Sequence, residues 1–161
     1  MEAIDVAGAI RIAVERWKPM AERKTLALSA VTPAGLQIWG ERSLLEQIIE
    51  NLIDNAVKAT VQGSVQVSCR KEGHHVNIEV RDSGCGIPAE DIDTIFEKPF
   101  YQGKGRESLE QSTGVGLYLV AQYAKSLGGK VSAESQVGKG SLFRVVLPLH
   151  QEQAKKAGVA A

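Results

Sequence analysis

Apolar residues recur along this chain in two periods, and the period changes from segment to segment. Val6, Ala9, Ile10, Ala13, Val14 and Trp17 share one helical face, which predicts a helix over residues 5–22. Pro19 is expected to disturb its end, because proline removes a helical N–H donor. Two short apolar stretches follow, 26–31 and 36–39, split by Thr32-Pro33-Ala34-Gly35; they read as two strands around a turn. Over residues 43–59 the helical period is strong, with Leu45, Ile48, Ile49, Leu52, Ile53 and Ala56 on one face. Residues 64–70 and 76–81 alternate instead. Val65, Val67 and Cys69 face one way, as do Val76, Ile78 and Val80, and Glu72-Gly73-His74 turns between them. That pattern predicts an antiparallel pair with one buried face.

Residues 83–114 are rich in glycine and charge, with weak periodicity and at most a short helix near 89–96. A loop of that length is uncommon unless it is functional. Residues 115–127 are helical again and end at Gly128-Gly129. Residues 130–136 and 141–149 predict a last hairpin around Val137-Gly138-Lys139-Gly140, and the polar, alanine-rich stretch 151–161 is expected to be a disordered tail. The sum is an α+β chain, a two-layer α/β sandwich with helices on one face of a mixed, mostly antiparallel sheet. A single domain over 1–150 is expected, and 161 residues suffice for one real core.

Composition narrows the function classes. Hydrophobic residues make up 43% and charged residues 24%, ordinary values for a globular domain. Nineteen basic residues balance nineteen acidic ones, and no long basic run occurs, so no nucleic-acid partner is expected. No apolar run approaches the roughly 20 residues that span a bilayer. Glu2 and Asp5 stand where a signal peptide would carry positive charge. Any membrane attachment is therefore expected through segments outside this chain. Cys69 and Cys85 are far apart and form no CxxC pair, which points to a reducing, cytoplasmic setting.

Three polar groupings stand out against this pattern. Asn51, Asn55 and Lys58 fall at i, i+4 and i+7, a stripe beside the apolar face of the 43–59 helix. An amide oxygen is a hard neutral ligand suited to Mg²⁺, and a lysine one turn on can meet phosphate as a point charge. Alone, the stripe better suits a solvated helix flank. The second grouping is Arg81-Asp82-Ser83-Gly84-Cys85-Gly86-Ile87-Pro88 at a strand end. Asp82 is expected to leave the sheet there, while Gly84 and Gly86 let the backbone turn or approach a ligand. A carboxylate only accepts hydrogen bonds, so it suits the exocyclic amine of adenine; alone, the segment also reads as an acidic turn. The third is Ser112-Thr113-Gly114-Val115-Gly116-Leu117, which opens a helix. Helix starts bind phosphate through free N–H groups and a partial positive charge.

Metal, base and phosphate chemistry are thereby covered, and the chain at this point resembles the catalytic domain of histidine kinases, within the ATPase superfamily that includes DNA gyrase B and certain heat-shock chaperones. Five blocks match in the family's order. The N box is Asn51-Leu52-Ile53-Asp54-Asn55-Ala56-Val57-Lys58 and the first G box is Asp82-Ser83-Gly84-Cys85-Gly86-Ile87-Pro88. The F box is Ile95-Phe96-Glu97-Lys98-Pro99-Phe100-Tyr101, the second G box Thr113-Gly114-Val115-Gly116-Leu117, and the last block Gly138-Lys139-Gly140-Ser141-Leu142-Phe143. The resemblance implies ATP and Mg²⁺ as cofactors. By it, Asn55 would hold the metal, Asn51 and Lys58 would meet the phosphates and act in catalysis, and Asp82 would receive the adenine amine with Ile87 against the ring. Gly114 and Gly116 would cap the triphosphate, Tyr101 and Thr113 would border the nucleotide with Val115 and Leu117, and Ser141 would help hold adenine. A mobile ATP lid would span 102–113.

The resemblance further implies transfer of the γ-phosphoryl group to a histidine on a separate dimerisation domain, with a response-regulator receiver domain downstream and a monomeric state for the domain alone. His74, His75 and His150 lie in no acceptor motif and read as surface residues. The chain departs from the family at Ala59, where many relatives carry an aromatic residue, and at Glu41, where an aspartate is common. Its F box carries one extra residue, and Gln102 replaces a frequent arginine, with Lys104 or Arg106 as substitutes. Other branches of the superfamily, self-sufficient ATPases and serine kinases, place a general-base glutamate where this chain has Asn51. Asparagine takes no proton, so hydrolysis of ATP is expected to be slow. Glu50 and Asp54 are adjacent, but the helix is expected to point them elsewhere. A non-catalytic scaffold is the remaining alternative.

Overall fold

Strict alternation over the middle of the chain builds the centre of a five-stranded sheet. The computed structural model describes residues 1–97 and 115–150. Its elements are β1 (Glu2–Asp5), α1 (Val6–Arg23), β2 (Leu26–Val31), β3 (Gln37–Gly40), α2 (Arg42–Ala59), β4 (Gly63–Glu72), β5 (His75–Asp82), α3 (Ala89–Ile92), α4 (Gly116–Ser126), β6 (Lys130–Gln136) and β7 (Gly140–Pro148). The sheet order is β2-β4-β5-β7-β6. Every pair in it is antiparallel except β2 with β4, which is parallel.

One face of this sheet is buried. Val65 and Val67 from β4, Val76, Ile78 and Val80 from β5, and Phe143, Val145 and Leu147 from β7 are all fully buried. They join Ile10 and Val14 of α1, Ile48, Leu52 and Ile53 of α2, and Val120 and Ala124 of α4 in one core. A one-residue slip of β5 would turn Val76, Ile78 and Val80 out to water, so the burial pins the register. The molecule is therefore the expected two-layer sandwich with its helices on one face.

The strands at 26–31 and 36–39 do form, but not as a pair. β2 runs parallel to β4, and such pairing needs a crossover, which α2 supplies. β3 instead pairs antiparallel with β1, a strand with no clear signal in the sequence. Ile4 and Ile38 are partners there and are buried at 0% and 1% exposure. Pro19 does not end α1, which continues to Arg23. Glu15, whose carbonyl loses its partner at Pro19, and Pro19 itself are both exposed, so water can take the lost bond. The short helix after β5 covers only Ala89–Ile92. His150 is half-buried rather than a free surface residue: its ring centroid lies 5.2 Å from that of Trp39.

Among the described residues, no helix is long and apolar enough to cross a membrane. The proposed lid at 102–113, Tyr101, Gln102, Lys104, Arg106, Thr113, Gly114 and the tail at 151–161 lie outside the described residues.

Candidate functional site

The C-terminal half of α2 carries the first wall of the site. Its core face is apolar, and Leu52, Ile53, Ala56 and Val57 are buried. Asn51, Asn55 and Lys58 emerge beside that face, each half-buried. The Asn51 amide nitrogen is buried and has no hydrogen-bond partner among the described residues. A buried amide donor left in this state costs about 1–3 kcal/mol unless something else satisfies it. Lys58 Nζ lies 3.1 Å from Oδ2 of Asp54, an i, i+4 ion pair.

Helix α4 supplies the second wall. It begins at Gly116, and a Cβ on Gly116 would lie 3.6 Å from Oδ1 of Asn51. The first turn of α4, whose leading N–H groups have no acceptor within the helix itself, thus stands beside the α2 stripe. Val115 and Leu117 flank Gly116; Leu117 is buried, Val115 half-buried.

The third wall is the segment after β5. Asp82 does not leave the sheet: it is the last rung of β5, opposite Ser141 of β7. Both residues are buried, at 3% and 4% exposure. The ladder carries Asp82 under cover because the β5–β7 pairing runs one residue further than alternation alone suggests. Gly84 N donates to Asp82 Oδ1 at 2.9 Å, which fixes the carboxylate's orientation.

The backbone after Asp82 is stitched to two neighbours. Cys85 N donates to the Ala59 carbonyl at the end of α2 (3.1 Å), and Gly138 N donates to the Cys85 carbonyl (2.9 Å). A Cβ on Gly84 would fall 2.5 Å from the Ala59 oxygen, so only glycine allows this approach. Gly86 has φ +75°, and a Cβ there would fall 2.2 Å from the Gln136 carbonyl. Ile87 is buried at 1% exposure, and its N–H donates to Ser135 Oγ at 2.7 Å. Ser135 Oγ donates to the Gly140 carbonyl at 2.9 Å and lies 2.8 Å from Ser141 Oγ. One hydroxyl has one proton, so the Ser141 hydroxyl is then the donor to Ser135.

The structure thus sets Gly116 beside Asn51 on α2 and gathers Asp82, Gly84, Gly86, Ile87 and Ser141 near the end of that helix, while Asn55 and Lys58 share the α2 stripe with Asn51. Two further residues belong with them. Ser135 ties Ile87 to Ser141; in the sequence it is one serine in an alternating strand, and only its cross-strand register with Ser141 reveals the link. Asp54 pairs with Lys58; an acid four residues before a lysine was the available signal. Glu50 does point elsewhere, accepting from Arg16 and from the indole N–H of Trp17 on α1.

No group of three or more His, Cys, Asp or Glu is placed to hold a metal ion among the described residues. Of the two thiols, Cys85 is half-buried in the loop and Cys69 is buried in β4. Burial, with the nearby Asp5 carboxylate, pushes the Cys69 thiol up from 9.0 to about 11, opposed by Arg11.

Residues 40–151 match the family described as histidine kinase-, DNA gyrase B-, and HSP90-like ATPase. Over 149 residues the chain is 34% identical to the sensor-like histidine kinase SenX3 of Mycolicibacterium smegmatis, an overlap covering 92% of this chain and 39% of that one. It is 36% identical over 148 residues to the sensor histidine kinase RcsC of Escherichia coli, covering 89% of this chain and 15% of RcsC. Among solved structures, the mycobacterial sensor histidine kinase MprB superposes with a TM-score of 0.80 at 25% identity, over 92% of this chain and 99% of that one. Full-length ShkA in complex with AMPPNP gives a TM-score of 0.80 at 27% identity, over 92% of this chain and 31% of ShkA. The chain spans 39% of the length of SenX3 and less of RcsC.

Proposed function

The chain belongs to the histidine kinase-, DNA gyrase B- and HSP90-like ATPase family, and from that premise we propose that it binds Mg·ATP and passes the γ-phosphoryl group to a histidine on a separate dimerisation domain. The observation that carries the nucleotide assignment is the buried Asp82 carboxylate, oriented by Gly84 N at the end of β5, with the amide stripe of α2 leading away from it. A carboxylate fixed in this way accepts from an exocyclic amine, so adenine suits it and the guanine carbonyl does not. We assign residues 1–150 to one ATP-binding unit.

The residues fit a magnesium ion that brings its own ligands. Mg²⁺ is bound through one or two protein oxygens plus phosphates and water. The half-buried Asn55 amide oxygen would be such a ligand, and the buried Asn51 nitrogen, without a partner among the described residues, would donate to an anion. When bound, the metal would neutralise charge on the triphosphate. Asn51 and Lys58 would orient the phosphates from α2, and the N–H groups of the first turn of α4, with Gly116, would meet them from the other side. Asp82, Ile87 and Ser141 would hold the base. Tyr101, Thr113 and Gly114, outside the described residues, would complete the proposed site.

No proton acceptor stands at the Asn51 position, so the site positions and neutralises while the nucleophile comes from elsewhere. A neutral imidazole needs no general base to attack phosphorus. His74 and His75 lie at the β4–β5 turn and His150 follows β7, so none is offered from a helix of this chain. A response-regulator receiver domain would take the phosphoryl group next, at the cytoplasmic side of any membrane to which the whole protein is attached.

Radiolabelled ATP decides the matter. Alone, this chain is expected to label itself hardly at all. Supplied with the dimerisation domain of its own full-length protein, it is expected to label that domain with an acid-labile, alkali-stable phosphoryl group. Label on this chain alone, or an acid-stable phosphoserine on the partner, would overturn the assignment.

A further inference from the structure

Lys58 already has an ionic partner. Its Nζ lies 3.1 Å from Oδ2 of Asp54, with the two side chains 29% and 34% exposed. At about 100° per residue, α2 sets Asp54, Lys58, Asn51 and Asn55 in that order around its surface, all within roughly 100°. Lys58 therefore stands between a carboxylate on one side and the two amides on the other. Its ammonium is a compact charge on a flexible four-carbon stem, long enough to turn from one neighbour to the other.

Resting on the reading that the amide stripe receives the triphosphate, we propose that Asp54 is a positioning residue that holds Lys58 aside in the nucleotide-free chain. ATP binding then exchanges one anionic partner of Lys58 for another. Turning towards the phosphates draws the ammonium off Asp54, so the strength of the pair is subtracted from nucleotide affinity. Asp54 could instead repel the triphosphate directly, whatever Lys58 does. The two effects separate in a double-mutant cycle, because only the exchange requires Lys58.

The test is titration calorimetry with Mg·ATP on the chain and its variants. Asp54→Asn is expected to tighten binding about two- to fivefold, the worth of a partly exposed ion pair. In a Lys58→Met background, which keeps the apolar stem and removes the charge, Asp54→Asn is expected to change nothing. Asp54→Glu, which restores a carboxylate within reach of Lys58, is expected to return the affinity to that of the unsubstituted chain. Unchanged or weakened binding in Asp54→Asn overturns the exchange, and so does an equal gain in the Lys58→Met background. If the unsubstituted chain binds no ATP, the nucleotide reading falls and the inference with it; if it binds but ignores Asp54, the inference falls alone.

Discussion

Asp82 and Ser141 stand opposite one another across the β5–β7 ladder, both buried, at the end of the sheet where α2 also ends. Their neighbours make the arrangement stiff. Gly84 N holds one oxygen of Asp82, and Ser135 holds the hydroxyl of Ser141. A carboxylate placed like this discriminates between bases, because a base that offers no donor leaves it desolvated.

Asp82→Asn tests that directly. Asparagine keeps an oxygen to accept from Gly84 N, so the loop is expected to survive. In the proposed site its other atom would be a donor facing the adenine amine, which is also a donor. ATP affinity is expected to fall roughly ten- to hundredfold, the range for a lost hydrogen bond to a charged group, and the preference for ATP over GTP is expected to shrink with it. Calorimetric titration of both nucleotides checks this, with the melting temperature as the control for folding. Equal affinity of the unsubstituted chain for ATP and GTP would remove Asp82 from the base site.

Gly86 and Gly35 both have positive φ, +75° and +88°, but their surroundings differ. Around Gly35 an added Cβ meets nothing within 4 Å. Gly35→Ala is therefore expected to cost only the left-handed backbone penalty, about 1–2 kcal/mol. At Gly86 the same Cβ runs into the Gln136 carbonyl at 2.2 Å, and backbone cannot turn aside as a side chain can. Gly86→Ala is expected to lose at least about twice as much stability and to weaken ATP binding, since Ile87 follows it directly and Asp82 stands at the start of the same loop. Urea denaturation of the two variants compares them; equal losses would show that the loop yields freely.

How far the sequence reveals this molecule follows from the range of each interaction. Helix α2 and the β4–β5 pair are legible because their periods are unbroken and their partners are near in the chain. Asn51, Asn55 and Lys58 are legible for the same reason, since helical spacing alone puts them on one stripe. β1 is not legible: four residues with one buried isoleucine carry no period, and their partner Ile38 comes only after the whole of α1 and β2. The partner of β2 is hidden too, because the choice of β4 over β3 depends on the crossover through α2. Within the site, Asp82 can be picked out by its place before the glycines, but its burial as the last rung of β5 depends on how far β7 pairs. Ser135 stays invisible until the β6–β7 register sets it against Ser141.

Cys69 makes stability depend on alkaline pH. Its thiol is held protonated in the fold, up to about 11 against an ordinary 9.0, chiefly by burial. A group whose pKa is raised on folding favours the native state fully below its unfolded value and loses that contribution as pH rises through the folded one. Denaturation curves taken between pH 9 and pH 11 are therefore expected to show falling stability, and Cys69→Ala to flatten that slope while lowering stability at neutral pH through the lost packing. In the native chain a thiol reagent is expected to modify half-buried Cys85 well before Cys69. An unchanged slope in Cys69→Ala would assign the alkaline loss to other groups.

Asn51 is where the choice between transfer and hydrolysis should be written. Its amide is buried beside the start of α4, within 3.6 Å of a Cβ placed on Gly116. An amide at this position can orient a phosphate but cannot take a proton from water, so the chain is expected to hydrolyse ATP slowly. Asn51→Glu introduces a carboxylate one methylene longer in the same place. Partial burial raises the pKa of such a group towards neutrality, which suits a general base. Hydrolysis is then expected to rise at least about tenfold, below the full effect of a positioned base because the surroundings were not built for it. Transfer to the separate dimerisation domain is expected to fall at the same time, since the phosphate loses an amide donor and gains a negative neighbour. Phosphate release and label transfer, measured on one preparation, separate the two. A variant that hydrolyses no faster, while still binding ATP, would mean that Asn51 does not face the γ-phosphate.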